Sequence, residues 1–553
     1  MPLQPVAFLN YTVAPGIFSL PVLADALCRL IQPIRASYLR KNACSSTASV
    51  IKLPLISVSG VDAMEHTTKP RPDQSEIPQH FVFLSCSASK MLSIIPMALL
   101  IYVVAQYAVD VPFLDQWELV PFLDKMYHGQ LTFHDLWAQQ NEHRIFFPRI
   151  IMLVLARLTH WNIRYELALN IIFALGIFAI FVYQIKITGR KLAVACLPWA
   201  IPAVSLVVFS VSQYQNWLWG WQLLLFLNVL AVVGGIVLLA NEPFRWWKFA
   251  AATLLGVVAT YSFANGALFW PIGLMILFLL KTGARQKGRA AAIWILIGTL
   301  TLGGFFYQYQ EPDKHSLLGL FLGMPVEYAA YVFKYIGGIC APHVGGDISL
   351  KGTFACVFGL AATITGSWVA WALCRRKIAD PGTLLPYFGL CLYSVGSALV
   401  TGIGRLDLGS NQALASRYCT MTTPLWVSLI VFLILLMNNG KIAAGANAAE
   451  RKPGSGTHTG GCQIVAGLSL LTAIVLLVLG SVYAITDAKD LSQRQADGRK
   501  CLLKLAANPQ AGIDYRGLSE IYPWPQVIVA RYPVLYQHRL SLFRHQEITL
   551  DAQ

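Results

Sequence analysis

Charge is what this sequence has least of. Only 12% of its 553 residues are Asp, Glu, Lys or Arg, about half the share of a soluble globular domain. With 56% hydrophobic residues and a mean hydropathy of +0.56, no single core hides this much apolar surface from water, so lipid must. The charge that remains is unbalanced, at +15. In a soluble chain such an excess points to nucleic acid. Here the basic residues sit in short loops between apolar runs, which is the topology signal of a membrane protein, and nucleic acid is excluded as a partner. A cysteine framework is missing too. The eleven cysteines lie mostly within or beside apolar runs without repeated spacing, as small core residues do. Only Cys340 and Cys501 fall in segments expected outside the membrane, and nothing indicates a bridge between them. No inverted repeat spans the chain, and ionisable residues are scarce inside the runs; both absences count against a transporter.

What is present is a series of apolar runs, and the expected fold class is an all-α polytopic helical bundle. Residues 1–90 mix Pro, Ser and charge. Their apolar stretch from Val6 to Ile34 is broken by Pro15, Pro21, Asp25 and Arg29, so it is neither a good span nor a good signal peptide. The expectation is a poorly structured extension, with the functional chain opening at Met91. Spans are expected to begin near Met91, Leu167, Leu192, Trp217, Phe249, Ala267, Ala290, Thr353, Leu384, Thr420 and Gln463, giving about eleven to thirteen in all once uncertain segments are allowed for. With Met91 inside, one set of loops carries Lys186/Arg190/Lys191, Arg245/Lys248, Lys281/Arg285/Lys287/Arg289, Arg375/Arg376/Lys377 and Lys441/Arg451/Lys452; the positive-inside rule makes this set cytoplasmic. Ile145 to Thr159 is short and holds Pro148, Arg149 and Arg157. A lone crossing there would invert every later loop, so it is expected to be re-entrant or interfacial. Segment 91–486 is then the membrane domain, with a long outside loop at 110–144. Segment 487–553 is a non-cytoplasmic tail whose Tyr522-Pro523-Trp524-Pro525 stretch and amphipathic Val527 to Leu542 run predict a small folded cap packed on the outer loops.

The first outside loop carries the most chemistry. Pro121 suits the first turn of a helix and Gly129 its C-terminal end. Asp115 and Glu118 then lie in the turn before it, three residues apart and able to face one side. Thr132-Phe-His-Asp135 reads as the capped start of a second short helix. Glu142, His143, Arg144 and Arg149 follow as the chain enters the next apolar run. Isolated acidic pairs at a membrane surface are usually solvated or capping; the surrounding aromatics and prolines argue instead for a packed loop. His134, Glu142 and His143 lack metal-ligand spacing, so no metal ligands are assigned.

Other clusters fall on the same face. Gln213-Tyr-Gln215-Asn216-Trp217-Leu-Trp219 is either an interfacial aromatic anchor or a surface for stacking and hydrogen-bonding a sugar. Tyr261 to Gly266 breaks an apolar helix pair. Lys314 and His315 sit in a second outside loop. Arg405, Asp407, Asn411 and Ser416-Arg417-Tyr418 precede a late span; arginines there either meet lipid headgroups or hold a phosphate in their planar fork.

From Met91 to Ile485 the chain resembles the GT-C superfamily of polytopic membrane glycosyltransferases, in particular the protein mannosyltransferase and aminoarabinose transferase group. Asp115-Gln-Trp-Glu118 is similar to the acidic motif after that family's first span, although its carboxylates are three apart rather than adjacent. Glu142-His143-Arg144 with Pro148 is similar in place to, and divergent in letters from, a Glu-Lys-Pro-Pro-like stretch that ends the family's first loop. The Asn265-Gly266 break and Ser416-Arg417-Tyr418 match a helix break and an Arg-Tyr stretch. The resemblance implies a polyprenyl-phosphate-linked sugar donor, an acceptor that is a glycan, lipid or protein of the cell envelope, contact with membrane lipid, and residence in a bacterial inner membrane with the active site on the non-cytoplasmic face. It implies inverting transfer with Asp115 as base and Glu118 as its partner or a sugar or metal binder, a divalent cation being optional. Arg405, Arg417 and Arg144 would bind phosphate, and Glu142, His143, Arg149, Gln215, Asn216, Trp217 and Tyr418 would line the substrate site. Two readings stand beside it: an O-antigen ligase or polymerase, in which the arginines matter and the early carboxylates do not, and a non-enzymatic lipid or polysaccharide transporter.

Overall fold

The computed structural model describes residues 79–194, 196–310, 323–341, 347–375, 381–438, 459–509 and 512–545, with backbone alone for 79–88, 381 and 459–462. Lys314, His315, Arg376, Lys377, Lys441, Arg451, Lys452 and most of the 1–90 segment lie outside the described residues.

A chain in lipid must pair its backbone polar groups within itself, and the described residues are predominantly helical and form no strand, with one isolated bridge between Gln140 and His143. Nine helices among them are long and apolar enough to cross a membrane. Two shorter apolar helices, Trp246–Thr260 and Ala264–Leu279, fall where the remaining two of eleven expected spans begin. The protein is an all-α polytopic membrane protein.

Burial orders the bundle. Ser416–Met437 is apolar all round and its span window is 100% buried, so it runs through the centre. Gly220–Ala240 is nearly as enclosed. Ser89–Tyr107, Ile348–Arg375 and the span beginning at Gln463 are only 28% buried; their exposed side chains, such as Ile94, Ile95, Ile364 and Leu468, face where lipid would be. Polar cross-links tie the interior: Tyr393 OH donates to Asn228 Oδ1, and Thr188 and Tyr387 hydroxyls lie 3.0 Å apart.

Phe146–Thr159 has 14 residues and so is about 21 Å long, too short for a hydrocarbon core of about 30 Å. The long helix Thr459–Ala507 has 49 residues, about 74 Å, and projects well past the membrane. The tail expected to start at Asp487 therefore begins inside a continuous helix and folds back only after Ala507, through Tyr515–Ser519, Pro525–Gln537 and the turn Ser541–Phe543.

The loop and the tail meet at one end of the bundle, the loop end. Arg190, Lys191, Arg245, Lys248, Arg285, Lys287, Arg289 and Arg375 lie at helix termini of the opposite end.

Candidate functional site

After the first span the chain makes two turns of 3-10 helix, Leu114–Leu119. Residues three apart eclipse in this geometry, so Asp115 and Glu118 share a side. The turn is pinned from below. Gln116 is buried; its Oε1 accepts from the Phe113 N–H at 3.1 Å and its Nε2 donates to Glu166 Oε2 at 2.6 Å. Glu166 Oε1 accepts from Trp161 Nε1 at 2.9 Å. Trp219 Nε1 donates to the Phe113 carbonyl at 2.8 Å. Leu114 has φ +48°, a left-handed conformation that a bulky side chain adopts only when its surroundings enforce it. Ile521 of the tail takes its N–H at 2.8 Å.

Pro121 and Gly129 stand as expected. The helix Val120–Tyr127 has Pro in its first turn, and Gly129 follows with φ +67°. Thr132 caps Phe133–Trp137 through a reciprocal bond with Asp135. Lys125, bonded to Asp135 at 2.5 Å, together with Thr132 holds that carboxyl at about 2.

Asp115 is half-buried, and its carboxylate has neither a hydrogen-bond nor an ion-pair partner among the described residues. Burial raises its pKa; the charge of Arg417 opposes this, Glu118 adds to it, Arg405 opposes it and Glu142 adds to it. Two carboxylates, one of them three residues away, and two arginines from far along the chain therefore act on Asp115. Arg417 is likewise half-buried; its guanidinium lies 5.2 Å over the Tyr418 ring and has no hydrogen-bond or ion-pair partner among the described residues. Tyr418 stacks on Tyr335 with centroids 4.8 Å apart.

Glu118 is committed elsewhere. Tyr522 OH donates to its Oε1 at 2.6 Å, and Arg531 pairs with the same oxygen at 2.9 Å. Burial raises its pKa, but the bonds from Arg531 and Tyr522 and the charge of Arg531 outweigh this and hold it below the usual range. Arg531 also donates to the Trp117 carbonyl at 2.8 Å. Glu142 is paired with Arg405.

Several expected site residues are structural instead. Each nitrogen of the Arg144 guanidinium donates to a backbone carbonyl, those of Phe305 (2.6 Å), Trp137 (2.8 Å) and Tyr307, clamping the loop to the end of Ala284–Phe306. Arg149 is 1% exposed, and its Nη1 donates to the Asp135, Leu136 and Ala138 carbonyls at 3.1, 2.8 and 2.7 Å, completing the C-terminal turn of Phe133–Trp137. Trp217 is buried, donates to the Ser210 carbonyl at 2.9 Å and packs on Phe226, so it is core rather than a sugar platform. Asn216 is equally buried and bonds the Arg417 carbonyl at 3.0 Å and Thr420 Oγ1 at 2.6 Å. It positions the Arg417 turn. Gln215 is half-buried and its backbone N–H bonds Ser416 Oγ at 3.2 Å. His143 stacks near Phe263 and accepts from the Ala264 N–H at 3.4 Å, supporting the helix break. At that break a Cβ on Gly266 would lie 2.2 Å from the Ala259 carbonyl, so only glycine fits, and Asn228 Nδ2 bonds the Ala259 carbonyl at 2.8 Å.

A small cleft opens beside the Arg417 turn, lined among others by Tyr214, Lys351, Ser416, Cys419 and Asp487. Ser416 lines it while the adjacent Arg417 acts on Asp115.

The sequence reading missed Glu166, Tyr522 and Arg531. Glu166 carries a signal: a single carboxylate in the first turn of an apolar run. Tyr522 lies in the aromatic stretch that predicts a folded cap, but nothing local ties it to a particular residue of a loop 404 positions earlier. Comparison with protein-family models, curated proteins and solved structures finds no match for this chain.

Proposed function

We propose that this chain is a membrane glycosyltransferase of the GT-C type, moving a sugar from a polyprenyl-phosphate carrier to a glycan, lipid or protein acceptor at the non-cytoplasmic face of a bacterial inner membrane. The observation that carries the reading is the pair of uncommitted opposite charges, Asp115 and Arg417, half-buried at the loop end while the neighbouring Glu118, Arg144, Arg149 and Arg405 are engaged. Perturbed, unpaired ionisable groups gather where chemistry is done. The basic residues at the opposite end support a non-cytoplasmic loop end.

Asp115 takes the proton of the acceptor hydroxyl as that oxygen attacks the anomeric carbon. Its raised pKa suits a general base. The bond from the anomeric carbon to the phosphate oxygen breaks, the configuration inverts, and Arg417 stabilises the charge gathering on the departing phosphate. Arg405, held by Glu142, adds positive potential. Glu118, its Oε1 held by Tyr522 and Arg531, orients the turn. The test is sugar transfer from a polyprenyl-phosphate sugar by the purified protein in lipid, comparing wild type with Asp115→Asn. Loss of transfer with folding retained supports the reading; full transfer by Asp115→Asn removes it.

A further inference from the structure

Away from the Asp115 cluster, one group of side chains among the described residues has the composition and spacing of a transition-metal site. Asp124 and His128 are four apart at the end of Val120–Tyr127, and His538 of the tail closes on them. One ligand atom from each lies within 4.8 Å of the other two. His128 Nδ1 is 3.3 Å from Asp124 Oδ1, and His538 Nε2 is 3.5 Å from the same oxygen. Around a tetrahedral ion with metal–ligand distances near 2.1 Å, ligand atoms stand about 3.4 Å apart. Both separations match that edge.

Three further observations point to a cation. His538 Nε2 is buried and has no hydrogen-bond partner. His128 and His538 are the C-terminal caps of two helices, Val120–Tyr127 and Pro525–Gln537, so the negative ends of both helix dipoles converge there. The His538 ring is already fixed, stacked on Tyr127 with centroids 4.5 Å apart and edge-on to His128 at 5.4 Å. As described, His128 Nδ1 donates to the Asp124 carbonyl at 2.9 Å; loading moves the ring proton to Nε2 and turns the Nδ1 lone pair to the metal.

We propose that Asp124, His128 and His538 bind a zinc-class divalent ion that staples the C-terminal tail to the first loop. Two imidazoles favour zinc, cobalt or nickel over magnesium or calcium. Three protein ligands leave a fourth position for water.

The test uses the full-length protein in detergent, stripped with chelator and dialysed against zinc alone. Elemental analysis is expected to find a single zinc per chain, and protease digestion of the tail is expected to slow on loading. Cobalt in its place should give the visible absorption of a tetrahedral ion. His128→Ala and His538→Ala should each weaken zinc binding by more than tenfold, beyond the lower limit seen on losing an outer-shell partner, about tenfold. Asp124→Asn, which preserves shape, should weaken it similarly, and His134→Ala should not. Failure of the wild type to retain zinc, or equal zinc binding by the His128→Ala/His538→Ala double variant, overturns the proposal.

Discussion

Tyr522 donates a 2.6 Å hydrogen bond to Glu118 across 404 positions of sequence. With Arg531 on the same carboxylate and Ile521 holding the N–H of the strained Leu114, the tail grips the turn that presents Asp115. The tail is thus part of the site's scaffold.

Tyr522→Phe removes the hydroxyl donor and keeps the ring. A hydrogen bond to a charged group contributes about 1.5–3 kcal/mol, so tail docking should weaken by that order. Limited proteolysis should cut the tail faster in Tyr522→Phe, and faster still with Arg531→Ala added. Docking also depends on pH. The Glu118 pKa is lowered on folding, so its contribution is complete above the unfolded value of about 4.3 and is lost as pH falls through the lower folded value. Proteolysis with an acid-active protease should accelerate in that window for wild type and much less for Glu118→Gln.

Arg144 and Arg149 should report on stability and not on donor binding. Each replacement by Ala removes the partner of several buried or partly buried carbonyls and should cost on the order of 3 kcal/mol, read as a lower Tm in detergent. A large rise in donor KM with Tm unchanged would contradict this assignment.

Much of this was legible in the chain itself. Pro121, Gly129 and Thr132 announce their helix ends by local chemistry, and the eleven span starts follow from apolar runs longer than soluble cores need. The charge pattern put Asp115, Arg405 and Arg417 on one membrane face, and both arginines act electrostatically on Asp115. What side chains do once packed was not legible. Arg144 and Arg417 look alike in sequence, yet one is consumed by the Phe305 and Trp137 carbonyls while the other stays uncommitted. Trp217 reads equally as sugar platform or core until its indole is seen bonded to the Ser210 carbonyl. Such partners lie tens to hundreds of residues away, where no spacing rule reaches.

Topology is testable by cysteine labelling from either side of the membrane. Gln130 in the loop should label from the non-cytoplasmic side and Gly288, at the basic end, from the cytoplasmic side. Labelling of both from one side would contradict the orientation.

Transfer should also lose rate on acidification before the protein unfolds. Burial raises the Asp115 pKa against the pull of Arg417, and a base must be deprotonated to act. The acidic limb of kcat/KM should therefore lie above the ordinary aspartate value of about 3.9. In Arg417→Ala, where the opposing charge is gone, it should move higher still.

The most direct measurement sets Asp115→Asn beside Arg417→Ala in sugar transfer from a polyprenyl-phosphate donor, with donor binding and Tm measured on the same preparations. Asp115→Asn should slow transfer by about 10²–10⁴-fold, with donor binding intact and Tm equal or higher, since a desolvated carboxylate is replaced by a neutral amide. Arg417→Ala should weaken donor binding as well as slow transfer. Full activity in Asp115→Asn together with an inactive Arg417→Ala would contradict the account and favour a ligase or polymerase that relies on arginine alone.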